Sequence, residues 1–110
     1  MKTIVFGYSE NPERYSYKAY NLLKEYKHET IPFNPRIDDI HSINYSFDTL
    51  TMYVGDAISD KFSDDIIKLN FKRIIFNPGS ENASLEKKCI EKNIEVVHGC
   101  TLVMLKTNQF

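Results

Sequence analysis

Short apolar, β-branched runs that alternate with helical periodicity are what most restrict this chain. Thr3–Phe6 stops at Gly7, Glu29–Phe33 stops at Asn34-Pro35, and Leu50–Val54 stops at Gly55. Arg73–Phe76 stops at Asn77-Pro78-Gly79, and Ile94–His98 stops at Gly99. Apolar runs this short, bounded by turn residues, read as strands buried on both faces. Between the first two, Tyr15–Tyr26 spaces Ala19, Leu22, Leu23 and Tyr26 as one apolar helix face. Asp60–Leu69, with Ser59 as the expected N-cap, predicts a helix turning Phe62, Ile66, Ile67 and Leu69 inward. Ala83–Lys92 predicts a third helix on Leu85 and Cys89, and Thr101–Lys106 a short closing one.

Strands alternating with helices imply right-handed parallel βαβ units. The expected fold is therefore α/β: a three-layer, Rossmann-like sandwich around a parallel sheet of five to six strands. The acidic connection Arg36–Asp48 is too short for a helix and a full strand. It predicts at best a vestigial third, edge strand near Ser42–Tyr45, which would give the order 3-2-1-4-5-6. A chain of 110 residues fits one domain, residues 1–110, with a core that needs neither metal nor disulfide.

Formal net charge is -1, which implies no general affinity for nucleic acid. The charge is unevenly spread. Residues 1–36 carry six positive and four negative groups, 37–65 one and seven, and 66–110 seven and four. An anionic ligand is favoured near the outer thirds. After Met1-Lys2-Thr3 only three apolar residues precede Gly7, too few for a signal peptide core or a membrane span. Cys89 and Cys100 then read as free thiols in a reducing compartment, and the expected location is cytoplasmic.

In an open parallel sheet, ligands sit beyond the carboxyl ends of the strands, where the strand order reverses. The best-furnished loop there runs from Gly7 to Ser16. Gly7 lets backbone approach closely, Ser9 offers a hydroxyl, and Arg14 offers a charged fork. The helix starting near Tyr15 adds free N–H groups and a positive dipole end. A lone glycine is weaker than a full dinucleotide fingerprint, so a simple tight turn is an equal reading of these residues alone. After the second strand the acid that grips the ribose of NAD is missing, which counts against that cofactor. Arg36 stands there instead, and an arginine suits an added ribose phosphate, as in NADP or coenzyme A.

The chain resembles the small, stand-alone CoA-binding domain proteins, which are similar to the N-terminal domain of the succinyl-CoA synthetase alpha subunit. The resemblance rests on Val5 to Tyr17, on Ile74 to Asn82, on Thr51 to Val54, and on Cys100 to Leu105 with the ending near Gln109-Phe110. It implies a cofactor site for coenzyme A or an acyl-CoA. Gly7, Tyr8, Ser9, Asn11, Arg14, Tyr15 and Ser16 would lie along the pyrophosphate, and Asn34, Pro35 and Arg36 at the adenosine end. Tyr53, Val54 and Gly55 would line the pocket, with Asn77, Pro78, Gly79 and Cys100 beside it. Three features depart from the family. Tyr8 stands where an alanine is usual, Arg36–Asp48 is short, and Asp56 adds a negative charge.

Catalysis needs a nucleophile and a base within reach of each other. Cys100 with His98 is the best pair, sharing a face if the chain stays extended. A small buried thiol beside an edge histidine is the commoner outcome for such a pair. His41 with Asp38 and Asp39 lacks the spacing of a metal site. The aromatic residues fall mostly at core positions, which argues against base stacking. The expected partner is a small-molecule nucleotide cofactor, with no nucleic acid or membrane partner and with a homodimer or protein partner open. Three functions remain. A non-catalytic CoA or acyl-CoA binding or regulatory module is favoured by the resemblance. The others are an NADP-type binding protein and an acyl- or thiol-transfer enzyme using Cys100.

Overall fold

β1 (Lys2–Phe6) lies inside the sheet, with four of its five residues buried and only Lys2 reaching solvent. It pairs in parallel with β2 (Glu29–Phe33) on one side and with β3 (Thr49–Met52) on the other. β4 (Arg73–Phe76) and β5 (Glu95–His98) extend the sheet, giving the all-parallel order β2-β1-β3-β4-β5. The computed structural model describes residues 1–110. Four helices cross between the strands or follow them: α1 (Tyr15–Glu25), α2 (Asp56–Ile66), α3 (Ala83–Glu91) and α4 (Thr101–Lys106).

The two faces of the sheet are packed differently. Alternation along β1 sends Ile4 and Phe6 one way and Val5 the other. The Ile4 side belongs to a cluster of 15 buried residues that includes Leu50, Ile66, Ile74, Phe76, Leu85 and Cys89. On the other face Val5, Leu23 and Leu105 form a smaller cluster, closed by the partly buried Tyr8, Tyr20, Leu22, Tyr53 and Phe110. Burial pushes the Cys89 thiol up to about 11, so it stays protonated and acts as a packing group.

The Arg36–Asp48 connection forms no edge strand, so the sheet has five strands and Ser42–Tyr45 is not one of them. Its apolar residues do not alternate. Ile40, Ile43 and Phe47 all turn into the large cluster, and Phe47 stacks on Phe71 with centroids 5.1 Å apart. A 3₁₀ turn at Ile40–Ser42 achieves this, capped by Asp39, whose side chain accepts from the His41 N–H. The connection covers the sheet where a strand would have widened it.

α2 also starts earlier than the hydrophobic spacing predicts. Gly55 is its N-cap, and Ser59 sits one turn inside, fully buried. The Ser59 hydroxyl accepts from Asn82 Nδ2 at 2.7 Å, while Asn82 Oδ1 caps α3 by accepting from the Leu85 N–H. Small side chains at Ser59 and Ser63 let α2 and α3 approach closely.

At the opposite end of the sheet, Arg73 holds the last residue. Its Nη1 donates to the Phe110 carbonyl at 3.1 Å, and its guanidinium lies 4.5 Å from the Phe110 ring centroid. His28 packs edge-on against the same ring. Burial first, then the N-terminal ammonium, holds the His28 imidazole below its ordinary 6.5. A histidine with a depressed folded pKa takes up its proton more readily in the unfolded chain. Stability should therefore fall as pH drops through 6.5 towards the folded value. Urea titrations at about pH 7.5 and about pH 5.5 should give a lower midpoint in acid, and His28→Phe should shrink that difference. An unchanged difference in the variant would remove His28 as the cause.

Candidate functional site

Gly7 ends β1 in a conformation that L side chains avoid, with φ of +101°. Its N–H and that of Tyr8 both donate to the Phe33 carbonyl, at 2.8 and 3.0 Å, which fastens the loop to the end of β2. On the other side space is short. A Cβ on Gly7 would stand 2.7 Å from Val54 Cγ1 and 3.2 Å from the Tyr53 carbonyl carbon. The glycine is thus required by its own positive φ and by the Val54 side chain, with the Tyr53–Val54 peptide close behind.

The rest of the loop is braced by its own short polar side chains. Ser16 Oγ accepts from the Ser9 N–H at 3.2 Å, and Ser9 Oγ accepts from the Asn11 N–H at 3.1 Å. Asn11 Oδ1 accepts from the Glu13 N–H, and the Asn11 carbonyl accepts from the Arg14 N–H, each at 3.0 Å. Such side-chain turns fix a loop without regular structure. Arg14 is the N-cap of α1, makes no side-chain cap, and is followed by no acid in the first turn. The N–H groups of Tyr15, Ser16 and Tyr17 accordingly have no protein acceptor. α2 starts at Gly55, which likewise supplies no side-chain cap, although Asp56 stands in its first turn.

The loop after β2 is a second braced turn. Asn34 Oδ1 accepts from the Arg36 N–H at 2.9 Å, and Asp38 Oδ2 accepts from the Asn34 N–H at 2.8 Å. Together the loops after β1, β2 and β3 enclose a cleft of about 960 Å³ at the carboxyl ends of the strands. Arg14 and Arg36 reach it free of any ion pair, alongside Glu10, Glu13 and Asp38. Its charge is nearly balanced. Any preference for an anion must come from placed donors rather than from bulk charge.

The sequence matches the family model described as CoA binding domain over residues 1–106. The chain belongs to the CoA-binding domain family. In fold this CoA-binding domain is similar to a crystal structure of an uncharacterized protein, with 36% identity, TM-score 0.87, and coverage of 99% of this chain and 97% of that one. A Thermus thermophilus protein also has a TM-score of 0.87 at 18% identity, covering 99% and 90% of the two chains. A hypothetical protein from Pyrococcus horikoshii reaches 0.85 at 19% identity, covering 96% and 81%. These last two bear on the fold alone. No curated protein matches the sequence. No helix is long and apolar enough to cross a membrane.

The domain brings most of the sequence-derived residues to one wall. Gly7, Tyr8, Ser9, Arg14, Tyr15, Ser16, Asn34, Pro35, Arg36, Tyr53, Val54, Gly55 and Pro78 all line the cleft. Asn11, Asn77, Gly79 and Cys100 do not. Asn77 is buried, and its amide is fully engaged. Nδ2 donates to Thr51 Oγ1 at 2.7 Å and to the Met52 carbonyl at 2.8 Å, while Oδ1 accepts from the Thr101 N–H at 2.8 Å. Cys100 is the N-cap of α4, and the chain bends at Gly99, so the extended geometry expected of Cys100 and His98 is absent. His98 Nε2 instead pairs with Glu86 Oε1 at 2.7 Å, and its ring stacks on Phe76. No hydrogen bond joins the two residues.

Sequence reasoning missed Pro32, Ile37, Asp38 and Ile58 on the cleft wall, and placed Glu10 and Glu13 in the Gly7–Ser16 loop without giving them a role. Asp38 had a signal: an Asn-Pro turn followed by an acid able to close it. Ile58 follows from the early start of α2. Burial pushes the Tyr53 phenol up to about 12, and its hydroxyl, buried beside the Thr101 and Thr51 hydroxyls, forms no well-aligned hydrogen bond.

Gly7→Ala should cost more stability than Gly79→Ala. Both glycines have positive φ, +101° and +89°, but a Cβ at Gly79 meets nothing within 4 Å. The conformational cost alone is about 1 kcal/mol, and the Val54 clash should add roughly 1–3 kcal/mol at Gly7. Equal losses in denaturant melts would mean that the loop yields to the added carbon.

Proposed function

We propose that this domain binds coenzyme A, free or acylated, through the loop after β1 and acts as a non-catalytic binding or regulatory module in the cytoplasm. The carrying observation is the cleft itself. Three unpaired N–H groups at the start of α1 open beside a loop already held in place by Ser9, Asn11 and Ser16. Phosphate oxygens suit such donors, because they satisfy the free N–H groups and meet the positive end of the helix. Membership of the CoA-binding domain family supports the same class of ligand.

In this reading the pyrophosphate lies across the start of α1, with the Arg14 side chain close by. The adenosine end lies by Asn34, Pro35 and Arg36, where the exposed guanidinium meets the ribose 3′-phosphate. Tyr53, Val54, Gly55 and Pro78 border the remainder of the ligand. Of the alternatives, NADP shares the phosphate logic and remains a competitor in the same assay. Acyl or thiol transfer by Cys100 is not supported by a positioned general base: His98, the nearest histidine in sequence, pairs with Glu86 and makes no hydrogen bond to Cys100.

The test compares coenzyme A, dephospho-CoA and NADP by titration calorimetry. Wild type should prefer coenzyme A to dephospho-CoA by about two- to fivefold, the range expected for one exposed charge pair, and the preference should shrink as salt is raised. Arg36→Ala should erase most of it. An unchanged ratio in the variant would leave Arg36 as a solvated side chain, and tighter binding of NADP would overturn the ligand assignment.

A further inference from the structure

Two side chains on the cleft wall have no packing role. Ile37 is 80% exposed and Tyr15 is 69% exposed, more than any other large hydrophobic residue of the chain, and both line the cleft. Ile37 belongs to neither core cluster, whereas Ile40, three residues on, is buried in the larger one. Tyr15 stacks on no other ring, and the one cation over it, Lys18 Nζ, stands 5.5 Å from its centroid. The backbone under both is nonetheless fixed. The N–H groups of Ile37 and Asp38 donate to the Asn34 carbonyl at 3.1 and 2.8 Å, inside the turn that the Asn34 and Asp38 side chains close. Tyr15 is the first residue of α1. Single exposed apolar side chains are ordinary on a protein surface. Two of them, held on fixed backbone from separate loops at one cleft, are a contact surface for an apolar ligand group.

We propose that Tyr15 and Ile37 hold the adenine base of the ligand by contact with its flat faces. The inference deepens the CoA-binding reading above and rests on it. In that reading the pyrophosphate meets the free N–H groups at the start of α1, and the 3′-phosphate meets Arg36. The pyrophosphate, the 3′-phosphate and the base are all substituents of one ribose. The base therefore cannot lie far from either anchor. Tyr15 follows Arg14 and Ile37 follows Arg36, so the exposed apolar surface stands beside both. An aromatic ring and a branched aliphatic side chain both suit the face of a purine, through stacking, dispersion and removal of apolar area from water. Such contacts do not depend on charge, so their contribution is insensitive to salt where that of Arg36 is not.

The experiment measures dissociation constants for coenzyme A and for adenosine 3′,5′-bisphosphate, which keeps the base and lacks the pantetheine arm. The proteins are the wild type, Tyr15→Ala, Tyr15→Phe and Ile37→Ala, each at low and high salt. Both side chains are exposed, so the variants should melt with the wild type. Tyr15→Ala and Ile37→Ala should each weaken both ligands by about three- to tenfold, the lower part of the range for a base stacked on a side chain. That factor should be the same at the two salt concentrations, and Tyr15→Phe should bind as the wild type does. Wild-type affinity for coenzyme A in either alanine variant overturns the inference and leaves the CoA-binding reading standing. So does a loss confined to coenzyme A, which would put the contact on the pantetheine arm, or a loss that fades as salt is raised. Absence of binding of the bisphosphate to a wild type that binds coenzyme A overturns it too. Failure of the wild type to bind coenzyme A overturns both readings.

Discussion

The carboxyl end of the sheet is held together by one buried amide. Asn77 reaches from the end of β4 to Thr51 and Met52 of β3 and to the backbone of Thr101 at the start of α4. The Thr51 and Thr101 hydroxyls, 2.7 Å apart, close the network. Inside a protein each of these groups would be costly if left alone, and every member has a partner. The network sets the spacing of β3 and β4 at the height where their loops begin. The loop after β3 is the surface against which Gly7 packs, so the position of the first loop depends on it as well.

That dependence explains the pattern of what was legible in the sequence. Strand positions were readable because buried parallel strands are short apolar runs with abrupt ends, and the Gly7 and Asn34 turns announced the cleft. The role of Asn77 was not readable. An Asn-Pro-Gly turn looks the same whether its amide faces solvent or bridges two strands and a helix. Ser59 misled for a related reason. A serine before an apolar run is a good cap, but here it is a small residue at a helix–helix contact, and the actual start at Gly55 has no side chain to give it away. The acidic connection was misread because Ile40, Ile43 and Phe47 bury themselves without strand periodicity. Cys100 and His98 were paired on the assumption of an extended chain, which the bend at Gly99 removes.

The cleft also illustrates how a nearly neutral wall can still be chemically polarised. Its carboxylates and guanidiniums roughly cancel, and Asp38 has one oxygen committed to its own turn. What polarises it locally is the set of free N–H dipoles at the start of α1. Local groups of this kind are screened less by salt than distant charges are, since they act within a few ångströms.

The Phe33 carbonyl, which receives the N–H groups of both Gly7 and Tyr8, has a further consequence. In glycine-rich nucleotide loops the amides just past the strand are a natural place for an anion to settle. Here those two amides are already used, and the strand side of the loop has nothing left to give. The free backbone donors of this loop therefore lie on the helix side, at Tyr15, Ser16 and Tyr17, one stretch of chain beyond the strand end and past Arg14.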